Sequence, residues 1–224
     1  MGRKNNLHRA IILKSAKYLF GTNAIITEWN KALDELEKNN LIAPNKNEFN
    51  IPVGNNLNST FGKWIYCLVR ATKPEAMIET GVAHGYSSWI ILNAMYKNKK
   101  GKLYSVDLPN NDTNRAYNFD KKSPQTGWLV PEQLRNQWEL HLGRAEEILP
   151  QLKQQLPLID IFFHDSDHSY AHMKYEFETI IPVIKKGGII LSDDVHKNTA
   201  FEEFTKQNQL LALRFNKGGC AVKN

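Results

Sequence analysis

The chain has 224 residues, 42% of them hydrophobic, which suits a globular unit with a sizeable core. Its formal charge of +6 is compatible with an anionic partner. The lysines, however, fall in scattered pairs at expected turns (Lys99-Lys100, Lys121-Lys122, Lys185-Lys186) rather than in a basic stripe with interleaved aromatics. They are read as solvated surface, and nucleic acid is set aside as the favoured partner. No stretch approaches the ~20 apolar residues of a membrane span. The run Ala10–Leu13 is too short for a signal-peptide core. Cys67 and Cys220 lie far apart without CxxC spacing, which argues against a disulfide framework or a zinc site and for a reducing cytoplasm.

In chain order, residues 1 to about 43 read as helical, with Trp29, Leu33 and Leu36 at helical spacing. Pro44–Asn58 is rich in Asn, Pro and Gly and reads as a connecting loop. Phe61–Thr72 is helical by pattern, and Lys73-Pro74 ends it. From there strand and helix alternate. Strands are expected at Ala76–Glu79, Lys102–Val106, Glu139–Leu142, Ile159–Phe163 and Ile189–Leu191. Helices are expected at Ser87–Tyr96, Pro131–Gln137, Ala145–Gln155, Ser169–Ile184 and Asn198–Gln209. Leu210–Phe215 and Cys220–Lys223, joined only by Asn216-Lys217-Gly218-Gly219, form an antiparallel hairpin. The pattern describes a Rossmann-like, doubly wound, mostly parallel seven-stranded α/β sheet closed by that hairpin. Residues 1–58 form a helical extension and linker, and 59–224 the main domain. The extension is read as a lid or a dimer contact, with the choice left open.

Two features carry chemistry. Glu79-Thr80-Gly81-Val82-Ala83-His84-Gly85-Tyr86-Ser87 follows the first strand and opens a helix, where a nucleotide-like cofactor lands on such a sheet. Gly81 and Gly85 allow a sharp turn, and Ser87 can cap the helix. Ala83 stands where a dinucleotide fingerprint needs its middle glycine. Glu79 suits an ammonium better than a pyrophosphate, and Asp107, closing the second strand, can accept both hydroxyls of a ribose. S-adenosylmethionine meets these requirements.

The second feature is a pair of strands that each finish in acid. Ile159–Phe163 breaks into His164-Asp165-Ser166-Asp167-His168, and Gly187–Leu191 breaks into Ser192-Asp193-Asp194-Val195. The β-α-β unit between them brings these carboxylates to one end of the sheet, where they repel one another unless a cation sits among them. Asp165, Asp193 and Asp194 are the expected ligands. A three-carboxylate site is hard and suits Mg²⁺. Asp167 is read as a helix cap, and His84 and His164 as loop and strand-end histidines. Trp128 and Tyr170 line either an acceptor pocket or the core.

These segments, with Tyr104–Asp107 and Leu142–Pro150, resemble class I methyltransferases, and among them the metal-dependent O-methyltransferases of the catechol and macrolide-sugar groups. The resemblance runs from about Ser59 to Val222. It implies that Glu79, Gly81 and Ser87 contact the methionine part of the cofactor, that Ala83 and Gly85 of the same loop also bind the cofactor, that Asp107 holds the ribose, and that Ala145 and Glu146 border the adenine. It places Asp165, Asp193 and Asp194 at the metal and His168 as general base. Two departures are an acid at Asp194, where the catechol group has an amide, and the segment Thr113–Trp128, which has no counterpart.

Methyl transfer from a sulfonium is an in-line displacement by a nucleophile that must lose a proton. A divalent cation lowers the pKa of a hydroxyl and orients it, so a small hydroxylated acceptor such as a sugar, vicinal diol or catechol is expected. The rival readings are a nucleic-acid or protein methyltransferase, a catalytically silent S-adenosylmethionine-binding module, and a nicotinamide-dependent oxidoreductase.

Overall fold

A computed structural model describes residues 2–39, 60–109, 112, 125–215 and 217–224. Helices α1 (Gly2–Phe20), α2 (Asn23–Asn39) and α3 (Thr60–Thr72) precede the first strand. The expected N-terminal helical stretch is therefore two helices, broken at Gly21, whose φ of +65° ends α1. The expected loop Pro44–Asn58 lies outside the described residues.

The sheet begins with β1 (Ala76–Thr80), α4 (Tyr86–Asn98), β2 (Lys102–Asp107) and β3 (Trp138–Leu142). It continues with α5 (Ala145–Gln155), β4 (Ile159–His164), α6 (Tyr170–Ile180), β5 (Ile184–Ser192), α7 (Ala200–Gln207), β6 (Leu211–Phe215) and β7 (Gly218–Val222). Strand order is β3-β2-β1-β4-β5-β7-β6. Every pairing is parallel except β5 with β7 and β6 with β7, so the expected sheet and hairpin are both present.

Side chains alternate across the sheet. Met77, Ile161, Phe163, Ile189 and Leu191 face a core that includes α1–α4, while Ile78, Ile159, Phe162 and Ile190 face α5–α7. Both faces are covered, which is why these strands read as continuous apolar runs. The N-terminal helices join the first core. Trp64 Nε1 donates to Ser15 Oγ at 2.7 Å, and Glu35 takes hydrogen bonds from Tyr66 and Arg70.

Several boundaries differ from expectation, most of them by one or two residues. Helix α6 stops at Ile180 because Pro182 brings a short 3-10 turn, and Ile184 already starts β5. The short helix expected at Pro131–Gln137 is present as a 3-10 helix over Glu132–Gln137. Helix α7 opens at Ala200, two residues later than expected. Among the described residues no helix is long and apolar enough to cross a membrane.

Candidate active site

The C-terminal ends of β1, β2, β4 and β5 meet at one edge of the sheet. Thr80 leads from β1 into the glycine loop, where Gly81 N donates to Val106 O at 2.9 Å. Gly81 and Gly85 have φ values of +83° and +89°, and Ala83 also sits in the left-handed region at +47°. A Cβ on Gly81 would lie 2.0 Å from the Asp165 carbonyl oxygen, so only glycine lets β1's loop touch β4's. Asp107 braces the same loop: Oδ2 accepts from Ala83 N at 2.7 Å and Val82 N at 3.3 Å, and Oδ1 from Leu108 N at 2.7 Å.

Glu79 is fully buried at the end of β1. Its Oε2 accepts from Ser88 Oγ at 2.6 Å and Ser105 Oγ at 2.8 Å, while Oε1 is buried without a hydrogen-bond partner. Burial pushes its carboxyl up to about 7, against the hydroxyls of Ser87, Ser88 and Ser105, with Asp107 adding to the rise. Ser87 does not cap α4. Gly85 occupies the cap position, and Ser87 lies buried as the second residue of the helix.

The segment around Trp128, read in the sequence only as pocket or core lining, packs on the glycine loop. Gly127 N donates to Ala83 O at 2.9 Å and Leu129 N to His84 O at 3.0 Å, while Trp128 Nε1 donates to His84 Nδ1 at 3.0 Å. Residues 127–129 thus lie across the glycine loop. Gly127, with φ +72°, sits where a Cβ would strike the Trp138 ring at 2.2 Å, and that glycine was the available signal. Ala145 and Glu146 open α5, and Glu146 Oε1 lies 3.2 Å from His172 Nδ1. Tyr170 is tied to α7, donating to Glu203 at 2.6 Å.

On the other side, Asp165 N donates to Thr80 O and Asp193 N to His164 O, both at 2.9 Å. Those two bonds bring ligand atoms of Asp165, His168 and Asp193 within 4.8 Å of one another. Asp194 turns away. Its φ is +47°, and its carboxylate takes Lys197 Nζ at 2.8 Å. His168 precedes the N-cap of α6, which is Ser169 rather than Asp167; Asp167 accepts from Ser169 N and Oγ at 3.0 Å and holds the cap in place. His168 Nε2 is buried without a hydrogen-bond partner. Burial, helped by His164 and Lys197, pulls its pKa down to about 4 against the opposing pull of Asp194 and Asp193. His164 is fully buried, its Nδ1 2.6 Å from Glu176 Oε2.

A sheet of this order, with a glycine loop after β1 and an acid closing β2, defines the class I S-adenosylmethionine-dependent methyltransferase fold. Residues 78–195, more than half of the chain, match the model of a methyltransferase-domain family, and the chain belongs to that family.

Solved structures share the fold. The O-methyltransferase from Bacillus cereus in complex with SAH superposes with TM-score 0.57 at 16% identity, over 96% of this chain and 97% of that one. TomG from Streptomyces achromogenes, an O-methyltransferase in complex with SAM involved in tomaymycin synthesis, gives 0.56 at 16%, over 88% and 90%. SAH-bound PaMTH1 from Podospora anserina gives 0.54 at 15%, over 90% and 88%. No curated protein sequence matches the chain.

Proposed function

We propose that this methyltransferase moves the methyl group of S-adenosylmethionine to a hydroxyl of a small molecule, a sugar, vicinal diol or catechol-like acceptor, with the help of a divalent cation. The observation that carries the reading is the convergence of Asp165, His168 and Asp193 directly beside the glycine loop.

The residues fit the cofactor. Glu79 Oε1, buried and unpartnered, suits the ammonium of the methionine part, which Gly81, Ala83, Gly85 and Ser87 would surround. Asp107, which closes β2 and braces the glycine loop, would hold the ribose. Ala145 and Glu146 would border the adenine. The residues also fit a cation: Asp165 and Asp193 supply hard oxygen donors of the kind Mg²⁺ takes. Asp194 would join them only by releasing Lys197. Such an ion would lower the pKa of the acceptor hydroxyl.

The chain's own part is proton handling and exclusion of water. Burial keeps His168 neutral at pH 7, so its Nε2 can take the hydroxyl proton as the methyl group transfers. Residues 127–129 cover the glycine loop and shield the methyl donor from water. Both cysteines are free and buried, in keeping with a reducing cytoplasm.

Calorimetric titration of S-adenosylhomocysteine tests the cofactor, with Asp107→Asn as the control. Micromolar binding that the substitution weakens supports the reading, and no binding to the folded chain refutes it. Methyl transfer from labelled S-adenosylmethionine to a panel of catechols and sugars, with Mg²⁺ and then with EDTA, tests the acceptor class. Transfer to RNA or protein alone would replace it.

A further inference from the structure

Helix α6 buries a carboxylate that the proposed chemistry does not use. Glu176 is fully buried between Met173 and Phe177 on the apolar face of the helix. A leucine would fill such a position at no electrostatic cost, whereas a buried charge costs several kcal/mol unless it is fully compensated. Here it is compensated. Oε2 accepts from Thr80 Oγ1 at 2.7 Å and pairs with His164 Nδ1 at 2.6 Å. Oε1 accepts from Ser166 Oγ at 2.9 Å and pairs with His172 Nε2 at 2.9 Å. Burial alone would push this carboxyl up, but His164 and His172 outweigh it and hold it well below the usual carboxylate range.

The identity of the partners gives the arrangement its meaning. Thr80 is the last residue before Gly81, and His164 and Ser166 stand on either side of Asp165. One carboxylate therefore grips the chain immediately before the glycine loop and on both flanks of the acidic loop. Through His172 it also reaches toward Glu146 at the start of α5.

We propose that Glu176 is a positioning residue, a tie beneath the active site that sets where Asp165 and His168 stand relative to the glycine loop. The inference rests on the reading of those two loops given above. In-line transfer depends on the separation of donor and acceptor to within an ångström, and this tie spans the joint between them. Residues that orient metal ligands from behind typically change metal affinity 10–100-fold when replaced.

The test uses the full chain as wild type, Glu176→Gln and Glu176→Asp. Hydrogen–deuterium exchange is read by mass spectrometry, Mn²⁺ binding by electron paramagnetic resonance, and S-adenosylhomocysteine binding by calorimetry. In Glu176→Gln, exchange should rise in the peptides covering Gly81–Gly85 and Asp165–His168 while the strands stay protected. Mn²⁺ affinity should fall about tenfold or more. Glu176→Asp, still charged but one methylene shorter, should fall between that variant and wild type. Folded variants with wild-type exchange in both loops and wild-type Mn²⁺ affinity would overturn the proposal. A wild type that binds no Mn²⁺ would remove the metal assignment instead, and loop exchange alone would then decide the role of Glu176. If Glu176→Gln does not fold, Glu176→Asp decides: loosening of the two loops supports the tie, and wild-type exchange rejects it.

Discussion

The backbone of Asp165 passes so close to Gly81 that a Cβ on the glycine would lie 2.0 Å from the Asp165 carbonyl oxygen and 2.8 Å from Ser166 N. The glycine loop and the acidic loop are thus in van der Waals contact, with no side chain between them. Gly81→Ala must pry them apart and adopt a strained φ as well. We expect a loss of roughly 2–3 kcal/mol of stability, read as a fall in melting temperature of several degrees, together with at least about tenfold weaker S-adenosylhomocysteine binding. Gly187→Ala is the control: its φ is +74°, but nothing lies within 4 Å of the new Cβ. It should cost only about 1 kcal/mol and leave binding unchanged.

Glu79 makes stability fall with pH. Its folded pKa, about 7, lies above the ordinary 4.5, so between those values the native state holds more protons than the unfolded chain. The slope is therefore negative across that window, with roughly 3 kcal/mol lost by the time pH exceeds 7. Glu79→Gln should flatten this part of the pH–stability curve. An ammonium favours the ionised form, so S-adenosylhomocysteine affinity should rise between pH 6 and 8 in wild type and not in the variant. Calorimetry in two buffers of different ionisation enthalpy would register the released proton.

Asp193 and Asp194 are neighbours with different surroundings, and substitution should separate them. Asp193→Asn removes a carboxylate from the group formed with Asp165 and His168, so Mn²⁺ affinity should drop by about tenfold or more. Asp194→Asn loses an ion pair with Lys197 that is partly exposed, while asparagine tolerates the φ of +47°. Its effect on Mn²⁺ affinity should stay within about threefold. Equal losses in the two variants would place Asp194 among the ligands.

Trp128 donates to His84 across the glycine loop. Trp128→Phe should weaken S-adenosylhomocysteine binding a few-fold, with about 1 kcal/mol lost from the deleted hydrogen bond. Unchanged affinity would show that residues 127–129 do not cover the cofactor.

What could be read in the sequence follows a physical division. The middle of the sheet was legible because its strands carry apolar runs that end abruptly in polar residues, as in Ile159–Phe163 before His164-Asp165. Asp107 and the glycine loop were legible because strand ends converge whatever the packing beneath them. Side-chain direction was not. Asp193 and Asp194 look equivalent as letters, and only the left-handed turn at Asp194 sends its carboxylate to Lys197. Ser87 has the chemistry of a cap, but the turn at Gly85 sets the helix start ahead of it. Glu176 was overlooked as one more acid on a helix, although Met173, Glu176, Phe177 and Ile180 share one face at helical spacing. A charge in that stripe was the available signal.

A column of rings runs from the N-terminal helices to the strand that carries the acidic loop. Trp29 lies 5.1 Å from Trp64, Trp64 5.0 Å from Phe215, Phe215 5.6 Å from Phe61, and Phe61 6.0 Å from Phe163. Phe163 directly precedes His164 and Asp165. Helices α1 and α2 are therefore wall and not ornament. Anyone grafting this catalytic unit into another chain from residue 59 onward would strip the cover from Trp64 and loosen the strand behind the acids, so the minimal portable unit begins with the N-terminal helices.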